Sequence, residues 1–106
     1  MATTNDVWGR RLKEARTAAG LSQKQLGIQA GLDPFVAGTR INRYELGVHK
    51  ADFQIVQRLA HILDVPSGYF YTGDNTLAEL MVIYHRLAMR KKAEVIKMAR
   101  KLAGVI

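Results

Sequence analysis

Apolar side chains in this chain recur at the three-to-four-residue spacing of a helix and almost never alternate, so helices are what it can be built from and strands are not expected. Glycine and proline cut the pattern into helix-sized pieces. The first is predicted over residues 6–19, with Trp8, Leu12, Ala15 and Ala19 on its buried stripe, Arg10, Arg11 and Lys13 toward solvent, and Gly20 where a left-handed C-terminal cap is wanted. Ser22 followed by Gln25 makes a capping box, flanked by Leu21 and Leu26 as a hydrophobic staple. The short second helix it starts should end near Ala30, with Gly31 supplying the turn.

A third helix is expected to open at Asp33-Pro34, an N-cap followed by proline at the first helical position, and to close at Gly47. Ala37, Ile41 and Tyr44 mark its inner face. After an irregular link, Asp52 caps a fourth helix striped by Phe53, Val56, Leu59, Ala60 and Leu63. Val65-Pro66-Ser67 stops it, and a short fifth helix around residues 67–71 is expected to cover the bottom of the core.

The rest reads as an appended tail. Thr76 and Glu79 form a capping box, and Leu77, Leu80, Met81, Tyr84 and Leu87 make an apolar stripe continued by Ile96, Ala99, Leu102 and Ile106. No glycine or proline interrupts Ala88-Met89-Arg90, which allows one long helix or a hinged pair. The length suits one domain, read here as residues 1–73 with a helical tail over residues 74–106.

Charge narrows the function. Sixteen Lys and Arg against nine Asp and Glu give a net charge of +7 and a pI near 10.1, which favours a polyanionic partner such as nucleic acid over a merely soluble basic surface. The absence of cysteine excludes disulfides and thiolate metal sites and fits a reducing cytoplasm. His49, His61 and His85 share no metal-ligand spacing, no serine lies in a nucleophile-elbow context, and no glycine-rich phosphate loop occurs, so neither an enzyme nor a cofactor is expected. The first residues, from Met1 to Arg11, lack the apolar core of a signal peptide, and no apolar run approaches the roughly 20 residues of a membrane span. A cytoplasmic protein without a membrane partner is the expectation.

The stretch from Ser22 to Leu46 has the layout of a helix-turn-helix. One helix packs across the next and touches the DNA backbone, and the second is presented to a major groove wide enough to admit it. The sequence resembles the Cro/repressor-type (XRE-like) helix-turn-helix regulators from about Val7 to Phe70. The resemblance is carried by Arg11-Leu12-Lys13-Glu14-Ala15-Arg16, Gly20-Leu21-Ser22-Gln23, Gln25-Leu26, Ile41-Asn42-Arg43-Tyr44-Glu45 with Gly47, Leu59-Ala60 and Leu63-Asp64-Val65. It implies a lambda-repressor-like, all-α domain of five helices with a C-terminal helical extension, acting as a bacterial or phage repressor on double-stranded DNA.

The resemblance also assigns roles. Thr39, Arg40 and Arg43, with Asn42 beside them, fall where recognition-helix residues approach bases. Ser22 and Gln23 on the second helix, and Lys50 past the third, are placed for phosphates. Arg16 is expected to pair with Glu45. Chemistry agrees, because arginine can take two acceptors of guanine and asparagine two groups of adenine, worth roughly 1–3 kcal/mol of discrimination each. Trp8 and Tyr69-Phe70-Tyr71 are read as core and cover rather than base-stacking platforms. The chain departs from the pattern in a longer Gly31-to-Ile41 connection, which leaves Phe35, Val36 and Gly38 without assigned roles, and in Ala51 and Gly27, where proline and alanine are usual. Close approach of the third helix would explain Gly27. The tail carries seven Lys and Arg against Asp74, Glu79 and Glu94. It is read as a homodimerisation element, since half-sites on a pseudo-palindromic operator call for a two-fold protein. The rival reading is an antitoxin-like module whose tail binds another protein.

Overall fold

The computed structural model describes residues 6–105, and every element in that range is helical. Met1 to Asn5 and Ile106, the last residue of the tail's predicted stripe, lie outside the described residues. In chain order the helices are α1 (Asp6–Ala18), α2 (Gln23–Gln29), α3 (Ala37–Leu46), α4 (Phe53–Leu63), a 3-10 helix (Ser67–Tyr71), α5 (Asn75–Arg86) and α6 (Met89–Ala103). One core joins the first five elements and α5. Leu12, Leu26, Ile41, Leu59 and Phe70, drawn from five different elements, are each fully buried at its centre. Trp8 packs on Phe70 and edge-on to Tyr44, with ring centroids 5.2 and 6.2 Å apart, so most of the aromatic cluster is core; Tyr71 alone turns outward.

Two glycines set how closely α3 is held. A Cβ on Gly27 would stand 2.7 Å from the Cβ of Ala37, which is the close approach expected of that position. A Cβ on Gly9 would stand 2.2 Å from the Glu45 carbonyl oxygen. Gly9→Ala must therefore push α1 off α3, an overpacking cost of about 1–3 kcal/mol that outweighs the roughly 1 kcal/mol alanine gains over glycine as a helix former. The variant is expected to melt several degrees below the parent in a thermal scan. A melting temperature at or above the parent's would show that the two helices have slack.

The structure corrects several local expectations. Arg11 is not solvent-facing but 3% exposed, with Nε donating to the Thr72 carbonyl at 2.9 Å, Nη2 to Asn75 Oδ1 at 2.9 Å and Nη1 to Glu14 at 3.0 Å. Its guanidinium lies 5.7 Å from the ring centroid of Tyr69. Burial and the neighbouring Glu14 carboxylate push that tyrosine's phenol above its usual range. Phe53 lies on the predicted stripe of α4 but at its first position, beyond the core, and is exposed; Ile55 is buried instead. The α5 cap is Asp74, whose side chain accepts from Leu77 N at 3.0 Å, rather than Thr76.

The tail is a pair of helices, broken where Leu87 and Ala88 adopt extended backbone. Its first helix is anchored to the helices before it. Ala78 is buried, Val82 packs against the core, and Arg86 donates to the Asp64 and Leu63 carbonyls at 3.0 and 3.2 Å, capping the C-terminus of α4 with a cation. The apolar stripe read from the sequence is divided: Met81 reaches Gly68 and is half-buried with Tyr84 and Leu87, while its other members among the described residues face outward. Leu77 and Leu80 stay about half exposed, as does Ile83, which the stripe did not include, and α6 buries none of its residues.

Candidate nucleic-acid interface

The interface grows from the start of α2. Ser22 caps that helix, its Oγ accepting from Gln25 N at 3.0 Å while Gln25 Oε1 accepts from Ser22 N at 2.8 Å. With its backbone fixed, the next residue, Gln23, points its side-chain amide at α3. Nε2 donates to Asn42 Oδ1 at 3.1 Å and to Glu45 Oε1 at 3.0 Å. Glu45 in turn meets Arg16 through two bonds, Nε to Oε2 at 2.6 Å and Nη2 to Oε1 at 3.2 Å, and Arg16 Nη1 donates to the Leu21 carbonyl at 2.9 Å. The two charged side chains are only 12% and 4% exposed. This chain of bonds ties α1, the start of α2 and the middle of α3 into one rigid unit, and the planar fork of arginine suits it to that task.

On α3 the buried side holds Ala37, Ile41 and Tyr44, and the outward side carries Thr39, Asn42 and Arg43, all exposed. Arg40 falls between the two sides. Its Nη2 donates to the Tyr44 hydroxyl at 2.9 Å and its guanidinium lies 5.8 Å from that ring centroid, so its charge rests along the helix flank rather than beside Thr39 and Arg43. Gly47 ends the helix at φ 78°, and the chain then carries Lys50 into solvent. Ser22, Gln23, Asn42 and Leu46 line one shallow concavity with Lys13, a cation that the sequence pattern placed on α1 but did not connect to this face.

The helix itself begins later than expected. Residues 34–36 form turns, with Asp33 Oδ1 accepting from Phe35 N at 2.9 Å and the Asp33 carbonyl accepting from Val36 N at 3.0 Å. The Asp-Pro pair thus builds an ordered turn in front of α3 instead of its first helical turn, and α3 starts at Ala37 without a side-chain cap. This turn displays Phe35, which the sequence reading left without a role.

Comparison with known proteins places the chain. A family described as a helix-turn-helix domain matches residues 9–76. Uncharacterized HTH-type transcriptional regulators of Sinorhizobium medicae (strain WSM419) and Rhizobium meliloti (strain 1021) are each 32% identical over 63 residues, covering 59% of this chain and 42% of theirs. The match thus spans less than half the length of those curated relatives. The crystal structure of the transcriptional regulator BswR is similar with a TM-score of 0.83 at 40% identity, over 88% of this chain and 92% of that chain.

Proposed function

This chain belongs to the helix-turn-helix transcriptional regulators of the Cro/repressor (XRE-like) kind, and from that premise we propose that it binds double-stranded DNA sequence-specifically and represses transcription. In this reading α3 enters the major groove. Thr39, Asn42 and Arg43 reach bases, with Arg40 swinging off Tyr44 to join them. Ser22, Gln23 and Lys50 take phosphates. The observation that carries the proposal is the outward face of α3, polar and basic, held in fixed register to α2 by the Arg16–Glu45–Gln23–Asn42 network. Repression needs only occupancy of a promoter. The protein works in the cytoplasm, and no helix among the described residues is long and apolar enough to cross a membrane.

Residues 1–73 form the DNA-binding unit in this proposal, and residues 74–106 join two copies so that both recognition helices face successive major grooves of a pseudo-palindrome, about 34–36 Å apart. The uncovered stripe on α5 and the wholly unburied α6 support an interface there. The same observation is compatible with the rival, a tail that docks another protein.

Binding is tested by fluorescence anisotropy on a duplex enriched from a random library and on its scrambled version, across a salt series. The parent should prefer the enriched duplex, with affinity falling steeply as salt rises. Arg43→Ala should lose roughly tenfold or more on the enriched duplex and little on the scrambled one. Lys50→Ala should weaken both alike and lower the salt slope by about one. No enrichment, and no binding to any duplex at low salt, would overturn the proposal.

A further inference from the structure

Phe35 is 96% exposed, the most exposed large apolar side chain among the described residues. Looseness does not explain it. Pro34 has its own φ fixed by its ring, and the Asp33 side chain and carbonyl accept the backbone N–H groups of Phe35 and Val36. Nothing in the fold uses the ring, so truncating it removes no packing. Its place is specific, however. Phe35 lies in the turn that leads into α3, next to the start of the helix's outward face at Thr39. It lines a groove with Lys24, Pro34, Gly38 and Thr39. α3 runs in contact with α2 here, and a Cβ added at Gly38 would meet that of Lys24 at an ordinary 3.5 Å. The ring is thus set between a hydroxyl suited to a base edge and an ammonium suited to a phosphate, while the nearby Asp33 carboxylate is already engaged by the turn.

We propose that Phe35 is a specificity-determining residue that lays its ring against the 5-methyl group of a thymine at the edge of each half-site. The proposal rests on the DNA-binding reading above. In the major groove the thymine methyl is the apolar feature a base pair presents, and an apolar side chain is what recognises it. The turn inserted ahead of α3 then has a purpose, since it extends the reading face by one residue toward the flank of the site.

The test uses the full chain and the enriched duplex, with each thymine replaced in turn by deoxyuridine, which deletes the methyl and keeps every hydrogen bond. The parent is expected to lose roughly fourfold in affinity at one thymine per half-site, the value of one buried carbon. Phe35→Ala should bind the parent duplex more weakly by a similar factor and be indifferent to uridine at that thymine. Phe35→Leu should keep part of the sensitivity. Phe35→Ala should melt with the parent, because the ring packs on nothing. If the parent binds its enriched duplex and no uridine substitution discriminates parent from Phe35→Ala, the thymine contact is refuted while DNA binding stands. If Phe35→Ala instead lowers the mass of the complex in light scattering without changing uridine sensitivity, the ring serves a protein contact and the proposal falls. Failure of the parent to enrich any sequence removes the DNA-binding reading, and this proposal with it.

Discussion

A Glu45→Ala variant should be less stable than the parent by about 3–5 kcal/mol, because it leaves the Arg16 guanidinium buried without a counter-charge. Arg16 would retain the Leu21 carbonyl alone, and Gln23 would lose one of the two acceptors that orient its amide. The damage cannot be relieved by rotating Arg16 outward, since its side chain is 12% exposed between helices that Gly9 holds in backbone contact. For a domain of this size each kcal/mol moves the melting temperature by roughly 4–8 °C, so a fall of more than about 12 °C is expected in a circular-dichroism melt. Replacing both partners by apolar residues, Arg16→Met with Glu45→Leu, should cost less than either single change, since no unpaired charge then remains. Single variants melting within about 2 °C of the parent would show that the pair is not what binds α1 to α3.

That network, the hub of the candidate interface, also shows what a sequence can and cannot disclose. Ser22 with Gln25 and Gly47 after Leu46 were readable because a cap and its helix are neighbours in the chain. Gly27 was readable because glycine in a helix demands a close neighbour, and Ala37 is that neighbour. Gly9 sits inside α1, gave the same signal and was passed over in the sequence, although it meets the Glu45 carbonyl. Arg11 was misread for a different reason. Its partners Thr72 and Asn75 lie more than sixty positions away, and among consecutive basic residues periodicity gives no ground for burying one. Asp33-Pro34 was ambiguous in principle, because an aspartate side chain accepting a backbone N–H two or three residues on serves a turn and a helix start equally well. Arg40 illustrates the limit within the recognition helix. Its position marks it as a reader, yet whether its fork lies over Tyr44 or beside Arg43 depends on a hydroxyl four residues on.

The tail was read from the sequence as a surface for a second copy, and which of its faces meets the core was not legible. Leu77, Leu80, Met81 and Tyr84 carry the predicted stripe along α5 and Leu87 follows at its C-cap; Leu77 and Leu80, with Ile83 beside them, are left about half exposed. The core takes Ala78 and Val82, with Met81 beside Gly68. A small-residue face can lie close against the core while the bulky stripe is kept for another surface. Burying that stripe removes apolar area from water at roughly 25 cal/mol per Å², which is the gain a second copy would supply.

If α5 and α6 together join two copies, as proposed, deleting residues 88–106, which removes α6, should shift the chain toward monomer and lower affinity for a two-half-site operator by about 10²–10⁴-fold, because the second half-site is no longer engaged at the effective concentration of a tethered partner. Affinity for a single half-site should stay close to that of the full chain, since α6 contributes no buried residue to the domain that holds α3. The melting temperature at low protein concentration should likewise change little, which separates loss of assembly from loss of fold. Light scattering on both proteins, with anisotropy on one-site and two-site duplexes, reads all three quantities. A shortened chain with the mass of two copies would show that α6 is not needed and leave the interface to the α5 stripe or to another exposed apolar surface, such as that of Leu46, Val48 and Phe53. A full-length chain that is itself monomeric, and binds one and two half-sites alike, would refute dimerisation and leave the tail to a different protein.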